Sequence, residues 1–343
     1  MGKLTSVAQW RAEDRAELFT ETAARTGITS PIAIEKDYWV CWALDLVFQS
    51  AYRDVLVFKG GTSLSKVYRL VDRFSEDIDL SVARTVISEH PLDPRTAPSS
   101  AEARRIIDAI APALREWAAG PFLREIAAAM SHRLIGESVD LRVDGMSEAT
   151  LLFAYPRAFS AEVYGNADYI MPTVRLELGA RSEPWPVESR EITSYCADAF
   201  PDTVRESVGG VRTLAAERTF WEKATILHAE YHRPKEKALP ARLARHYFDM
   251  AVLAESAVGS AALDRRDLLE SVVENKSLFF ASGWANYHTA RSGTLRLLPA
   301  PERVSALGED YRKMREMFFG EPPSFEDLLD RLAALEARVN GSL

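Results

Sequence analysis

Between residues 55 and 82 the hydrophobic pattern changes period twice. The apolar run Val55, Leu56, Val57, Phe58 stops at Gly60 and Gly61, and Leu64, Val67, Tyr68 and Val71 then recur at the spacing of one helix face. The pattern predicts strand, tight glycine turn, helix. After Arg73 and Phe74 a second run reads Asp77, Ile78, Asp79, Leu80, Ser81, Val82. Alternation along a strand sends Asp77 and Asp79 to one face and Ile78 and Leu80 to the other. Upstream, Trp10, Leu18, Phe19 and Ala23 recur at near-helical intervals before Gly27. Pro31 then opens a second helix carrying Ile32, Ile34, Tyr38, Trp39, Leu44, Leu46 and Val47, the proline falling in the first turn where its missing N–H does no harm. Downstream, the polar stretch 89–100 predicts a surface loop, and 101–117 and 121–130 predict helices. Strand-like runs follow at 138–143, 150–155, 173–178 and 187–195; with the two core strands they predict a mixed sheet of about six strands. Composition shifts near Pro201, and from Leu214 onward the pattern is almost wholly helical, over 214–231, 239–254, 264–280, 301–319 and 324–339. The expected division is 1–205, carrying the sheet and the N-terminal helices, and 206–343, a helical C-terminal domain.

Two carboxylates aimed at one point beside a glycine turn suit one chemistry, metal-assisted phosphoryl transfer. Glycines let the backbone approach a phosphate, and the N–H groups that open the following helix, from Thr62 to Ser65, favour an anion. Magnesium takes hard oxygen ligands, commonly one or two protein carboxylates plus substrate phosphates. Neither half of the pattern is specific alone; the combination is.

The combination also resembles a known family. Gly60-Gly61-Thr62-Ser63 followed by Ser75-Glu76-Asp77-Ile78-Asp79 resembles the nucleotidyltransferase signature of the polymerase-beta superfamily. More narrowly, it is similar to the AbiEii/AbiGii (MenT-like) toxins of bacterial toxin-antitoxin and phage-defence systems. Three further blocks occur in that family's order: Ile34-Glu35-Lys36-Asp37-Tyr38-Trp39-Val40, Arg218-Thr219-Phe220-Trp221-Glu222-Lys223, and Ala244-Arg245-His246-Tyr247-Phe248-Asp249.

The resemblance implies an α+β protein with a polymerase-beta-like core, its small mixed sheet flanked by helices, and an active site in the groove before a helical C-terminal domain. It implies magnesium on Asp77 and Asp79, and a nucleoside triphosphate gripped by Gly60, Gly61, Thr62 and Ser63, with Lys59, Ser75, Lys223 and Arg245 as further phosphate contacts. Asp249 would orient Lys223 or the nucleotide. A third carboxylate from a neighbouring strand is usual in the superfamily. Glu177 is the candidate, with Asp140 and Asp144 as alternatives; the competing explanation is an exposed Arg175/Glu177 pair on a strand face. An ion pair between Arg245 and Asp249 at i,i+4 would explain that spacing without catalysis. The implied activity is transfer of a nucleotide to the 3′ end of tRNA, blocking translation, with a cognate antitoxin as partner. Transfer to a protein hydroxyl and non-catalytic sensing of a triphosphate are the alternatives; the intact aspartate pair speaks against the last.

Composition narrows the rest. The 343 residues are 47% hydrophobic, enough for a sizeable core, and 42 Lys and Arg against 50 Asp and Glu leave a net charge of -8, unlike a broad nonspecific nucleic-acid binder. The local exception is the basic stretch 232–237 with Arg218, Lys223, Arg242, Arg245 and His246 nearby in sequence, either a solvated loop or an RNA or triphosphate contact. Glu35, Lys36 and Asp37 read most simply as a solvated helix face, with Lys36 a phosphate contact by resemblance. Cys41 and Cys196 lie far apart in sequence without a Cys/His cluster, as in a reduced cytoplasmic protein. The N-terminal stretch has no apolar signal core, and no apolar run approaches the roughly 20 residues needed to span a bilayer. His228 and His232 have zinc-ligand spacing but lack the His-Glu-x-x-His order, so a structural role is the expectation. Trp284 and Tyr287 read as ordinary core or surface aromatics, or as platforms for unpaired bases.

Overall fold

The alternation that parts Ile78 and Leu80 from Asp77 and Asp79 is realised in one mixed sheet. The structure, a computed structural model, describes residues 6–75, 77–145, 147, 149–165 and 171–341. Glu76 of the acidic motif and residues 1–5 of the N-terminal stretch lie outside the described residues. The strands are β1 (Leu56–Lys59), β2 (Asp77–Val82), β3 (Asp140–Val143), β4 (Thr150–Ala154), β5 (Thr173–Gly179), β6 (Val187–Thr193) and β7 (Ser207–Leu214). They lie in the order β3-β4-β5-β2-β1-β7-β6. β2 runs antiparallel to β1 and parallel to β5, while β4 runs antiparallel to both β3 and β5. The sheet therefore has seven strands where the sequence pattern promised about six. The additional one, β7, contains Gly209 and Gly210, which break the apolar alternation; Gly210 has φ +72°, the kind of strand position only glycine fills readily.

One compact unit holds residues 1–67 and 74–213, and the other holds 68–73 and 214–343. In the first, Ile78, Leu80, Leu176 and Leu151 are fully buried on one face of the sheet, and Asp77, Asp79, Arg175 and Glu177 alternate with them on the other. Helix α1 (Ala12–Thr26) packs on α2 (Pro31–Gln49), which itself packs on β2 and β5. Of α2's 19 residues all but Pro31, Asp45 and Gln49 are buried. Trp39 stacks on Tyr155 and Trp42 on Phe153, which places α2 in the core as a helix enclosed on every side. Each such large side chain contributes about 1.5–3 kcal/mol of burial free energy.

That enclosure overturns the expectation of a solvated face at Glu35, Lys36 and Asp37, which are 0%, 1% and 5% exposed. Their charges are met inside the unit. The Tyr164 hydroxyl and the Ala158 N–H donate to Glu35, and the Tyr195 N–H donates to Asp37, which also pairs with Lys66. Lys36 lies 6.0 Å from the Phe74 ring centroid. Burial raises the Glu35 pKa, against hydrogen bonds from Tyr164 and Ala158 that act to lower it. A partner supplied across 123 or more residues leaves no local mark in sequence, so periodicity alone reads such charges as exposed.

Helix α3 (Gly60–Lys66) follows β1 directly and is shorter than its apolar spacing predicted. The chain turns away at Arg69, in the left-handed region at φ 51°, and Val71 is buried without being helical. The remaining connections carry α4 (Arg84–Ile87), α5 (Ser100–Trp117), α6 (Leu123–Arg133), α7 (Ala161–Gly165) and α8 (Tyr195–Ala199). Cys41 and Cys196 are both buried and free, and burial pushes the Cys196 thiol up to about 12.

In the second unit, α9 (Ala216–Tyr231) buries Phe220, Trp221, Ala224 and Leu227, and the Trp221 indole N–H donates to Ala262 O at 3.0 Å. Helices α10 (Ala244–Ala254), α11 (Ala257–Asp264), α12 (Arg266–Phe279), α13 (Val304–Lys313) and α14 (Phe325–Gly341) complete it. Leu328, Leu332, Leu335 and Val339 give α14 one apolar stripe at helical spacing. Residues 68–73 join this unit through the Tyr68 hydroxyl, which donates to Leu214 O, and through an antiparallel bridge from Arg73 to Phe318.

Candidate active site

The glycine turn and the aspartates meet on the polar face of the first unit. Gly60 has φ +82°, and a Cβ built there would lie 2.0 Å from Asp79 Oδ2 and 2.8 Å from its Cγ. Both the backbone angle and the space exclude a side chain, so the Asp79 carboxylate rests against the bend itself. Lys59, the last residue of β1, is the register partner of Asp79. The turn is braced from within: Ser63 Oγ donates to Gly60 O at 2.9 Å, and Thr62 Oγ1 donates to the Asp77 carbonyl at 2.5 Å. With the single Thr62 hydrogen spent there, the 2.7 Å contact between Thr62 and Ser75 has Ser75 as donor. Gly61 lies in the first turn of α3. One hydroxyl chain thus ties the helix that opens at Gly60 to the strand that opens at Asp77.

β5 sets a further carboxylate beside the pair. Glu177 is the register partner of Asp79, and Arg175 is the partner of Asp77. The Arg175 guanidinium lies 3.2 Å from Asp144, 3.3 Å from Glu177 and 3.7 Å from Asp77. Burial opposes its charge, but Glu177, Asp77 and Asp144 more than offset this, and its pKa is raised. Asp140 is set apart, exposed and paired with Arg142. The sequence offered Glu177 with Asp144 and Asp140 as alternatives; the fold gathers the first two around one arginine. That role of Arg175 was hidden in the Val174-Arg175-Leu176-Glu177-Leu178 alternation, which shows a shared face but not the neighbouring strands.

The donor set fits a magnesium ion. Among the described residues no group of three or more His, Cys, Asp or Glu side chains is arranged to hold a metal. Magnesium does not need one, since it takes one or two protein carboxylates and completes its shell with water and phosphate oxygens. Asp77 and Asp79, two apart on one strand and with the Asp79 carboxylate against the glycine bend, supply such a pair.

Of the other implied site residues, Lys223 and Asp249 belong to the second unit, where they form a buried ion cluster with Arg73. Asp249 is 0% exposed and accepts from Arg73 Nε and Nη2 and from Lys223 Nζ, each at 2.7 Å. The cations on Asp249 are thus Arg73 and Lys223, where the sequence spacing had offered Arg245. Burial would raise the Asp249 pKa; the charges of Arg73 and Lys223 outweigh it and hold the carboxyl well below its ordinary range. Lys223 is itself lowered, by burial first and also by Arg73 and Arg245, against the pull of Asp249. His246 is lowered strongly for the same reasons, burial and the cations Lys223 and Arg245.

The rest of the basic region is held within its unit. Arg233 donates twice to Glu230 and lies over the Trp284 ring, and Arg303 donates to the carbonyls of Pro234, Lys235 and Lys237. His228 Nδ1 accepts from the Arg296 N–H, so Nε2 carries the proton toward Asn286 O and Thr289 Oγ1. Both ring nitrogens are occupied, and burial lowers this histidine to about 4. Among the described residues no helix is long and apolar enough to cross a membrane.

A family model described as nucleotidyl transferase AbiEii toxin, type IV toxin-antitoxin system, matches residues 42–331. Curated proteins give no match. Among solved structures the chain is similar to MenT4, a nucleotidyltransferase toxin from Mycobacterium tuberculosis H37Rv, at 17% identity and a TM-score of 0.45 over 95% of this chain and 99% of that one. It is similar also to JHP933 from Helicobacter pylori, at 13% identity and a TM-score of 0.38 over 90% and 94% of the two chains. The family match spans most of the sequence and includes both the glycine turn and the aspartate pair. The chain therefore belongs to the AbiEii family of type IV toxin-antitoxin systems, nucleotidyltransferase toxins that act on a nucleoside triphosphate and are paired with a cognate antitoxin.

Proposed function

We propose that this enzyme moves a nucleoside monophosphate from a nucleoside triphosphate to the 3′-terminal hydroxyl of tRNA, which blocks aminoacylation and so translation, in the cytoplasmic setting of toxin-antitoxin or phage-defence systems. The observation that carries the proposal is the close approach of the Asp79 carboxylate to Gly60, which sets the aspartate pair directly against the glycine turn. Asp77 and Asp79 hold the magnesium ion. When bound, that ion supplies charge neutralisation on the phosphate oxygens.

The chain's own residues do the positioning. The Gly60-to-Ser63 turn presents backbone N–H groups to the β- and γ-phosphates, with Lys59 adjacent in register to Asp79. Ser75 and Thr62 fix the turn to β2 through their hydroxyl chain. The acceptor oxygen attacks the α-phosphorus, the bond from that phosphorus to the bridging oxygen breaks, and pyrophosphate leaves; Glu177, beside Asp79 on β5, is the group assigned to draw the proton from the acceptor hydroxyl. Lys223, Asp249 and Arg245 are assigned to phosphate handling on the order of the family's motifs, with Asp249 fixing the Lys223 ammonium. Catalysis of this kind rests on positioning and charge neutralisation.

The acceptor is tested by incubating the purified protein with each α-labelled nucleoside triphosphate, magnesium, total tRNA and a cell lysate. Label entering the 3′ end of tRNA supports the proposal. Label confined to polypeptide would replace it with protein nucleotidylation, and nucleotide binding without transfer would replace it with a sensor.

A further inference from the structure

Arg175 gathers carboxylates from three places in the sheet. Asp77 comes from β2 and Glu177 from β5, while Asp144 follows β3 and is fixed by its own N–H, which donates to Thr150 O at 2.8 Å. The guanidinium side chain is 35% exposed, and the three acids around it are 18%, 40% and 13% exposed respectively for Asp77, Glu177 and Asp144. This acid set sits beside Asp79, the register partner of Glu177. We propose that Arg175 is a built-in replacement for a second divalent cation, so that the site takes one metal ion, on Asp77 and Asp79. The proposal rests on the assignment of that pair as the metal-holding residues.

The physical argument is one of competing positive charge. In two-metal phosphoryl-transfer sites the ions stand about 3.5–4 Å apart and share carboxylates. A second ion on Asp77 and Glu177 would occupy ground that the guanidinium already holds within 3.3 Å of Glu177 and 3.7 Å of Asp77. The two would repel. An arginine cannot relieve that repulsion by losing its proton, as a lysine can, because its charge is permanent at any working pH. Its planar fork also reaches two or more carboxylates at once, which a single ammonium does less well. Arg175 thereby withholds Glu177 and Asp144 from metal ligation and leaves Glu177 as an oriented oxygen acceptor. Asp144 acts as a positioning residue, holding the far side of the guanidinium at 3.2 Å.

The test is Mn2+ binding to the full chain, followed by electron paramagnetic resonance and calorimetry in the presence of an α,β-methylene triphosphate analogue. The wild-type chain is expected to bind one Mn2+ per molecule. Arg175→Gln is expected to gain a second site, or to bind Mn2+ about tenfold more tightly. Two Mn2+ ions on the wild-type chain would overturn the proposal, and this result needs no variant to fold. So would an Arg175→Gln protein of unchanged melting temperature with one Mn2+ of unaltered affinity. Asp79→Asn separates the two layers of inference: if it binds Mn2+ as the wild type does, the assignment of the metal pair itself fails.

Discussion

The acids of β2 and β5 and the acid of α10 meet their cations on opposite terms. Around Arg175 the carboxylates are partly exposed and one cation is shared by three acids. Around Asp249 one fully buried acid is shared by two cations, with every contact at 2.7 Å. The first arrangement keeps its carboxylates within reach of solvent, where a divalent cation can approach them. The second is closed, and its charges are worth most to the fold or to holding Lys223 in one place. A buried cluster is weak evidence of net stability, yet removing one partner leaves an uncompensated charge and is strongly destabilising. Substitution in the open cluster should therefore register in activity, and substitution in the closed cluster should register in folding as well.

The largest expected effect is at the open cluster. Gly60→Ala places a methyl where Asp79 Oδ2 now lies and asks for φ +82° from an L-residue. Nucleotide transfer should fall by about 100-fold or more, since displacement of a reacting group by an ångström suffices for that. Single-turnover transfer of label measures it, and a rate within a few-fold of wild type would detach the bend from the aspartates. Next in size is the closed cluster. Asp249→Ala should destabilise the chain by roughly 3–5 kcal/mol in denaturant unfolding, because Arg73 and Lys223 are left buried without their carboxylate. A loss of under about 1 kcal/mol would erase the contrast drawn between the two clusters.

Acid sharpens the same contrast. His228, held neutral at about 4 by burial, and His246, lowered well below its ordinary value by burial and the neighbouring cations, bind protons more weakly folded than unfolded. Their contribution is present above the unfolded pKa of about 6.5 and is lost as pH falls below it toward the folded values. Asp249, depressed in the fold, contributes above its unfolded value near 4 and loses that contribution only in stronger acid. Melting temperature should thus drop by several degrees between pH 7 and pH 5, read by calorimetry, while the Asp249 cluster stays intact over that range. A flat profile would contradict the burial of the two histidines. The smallest effect belongs to the basic stretch: Lys235, 74% exposed and paired with Glu302 at 3.3 Å, should change stability by no more than about 0.5 kcal/mol on substitution by alanine in thermal unfolding.

The legible parts of this molecule were those written in short-range pattern. Period 2 at Asp77 to Val82 placed the aspartates on one face, and the Gly60-Gly61 break placed the turn beside them, because both depend on residues a few positions apart. Long-range pairing was not legible. Arg73 and Asp249 meet across 176 residues, where the sequence spacing offered Arg245 as the partner, and Glu35 finds Tyr164 across 129, where a solvated face was the simplest explanation. β7 was missed for a local reason, since Gly209 and Gly210 signal a turn more strongly than a strand. Glu177 and Arg175 fall between these cases: the sequence showed that they share a face, and only strand order showed that Asp144 and Asp77 share it too.

The most direct measurement is α-labelled nucleotide transfer by Asp79→Ala beside the wild type, with melting temperatures recorded on the same preparations. Loss of transfer with an unshifted melting temperature, and loss of growth inhibition on expression, is the expected result, since Asp79 lies on the partly exposed face rather than in the core. Transfer at the wild-type rate would remove the aspartate pair from the chemistry and contradict the account at its centre.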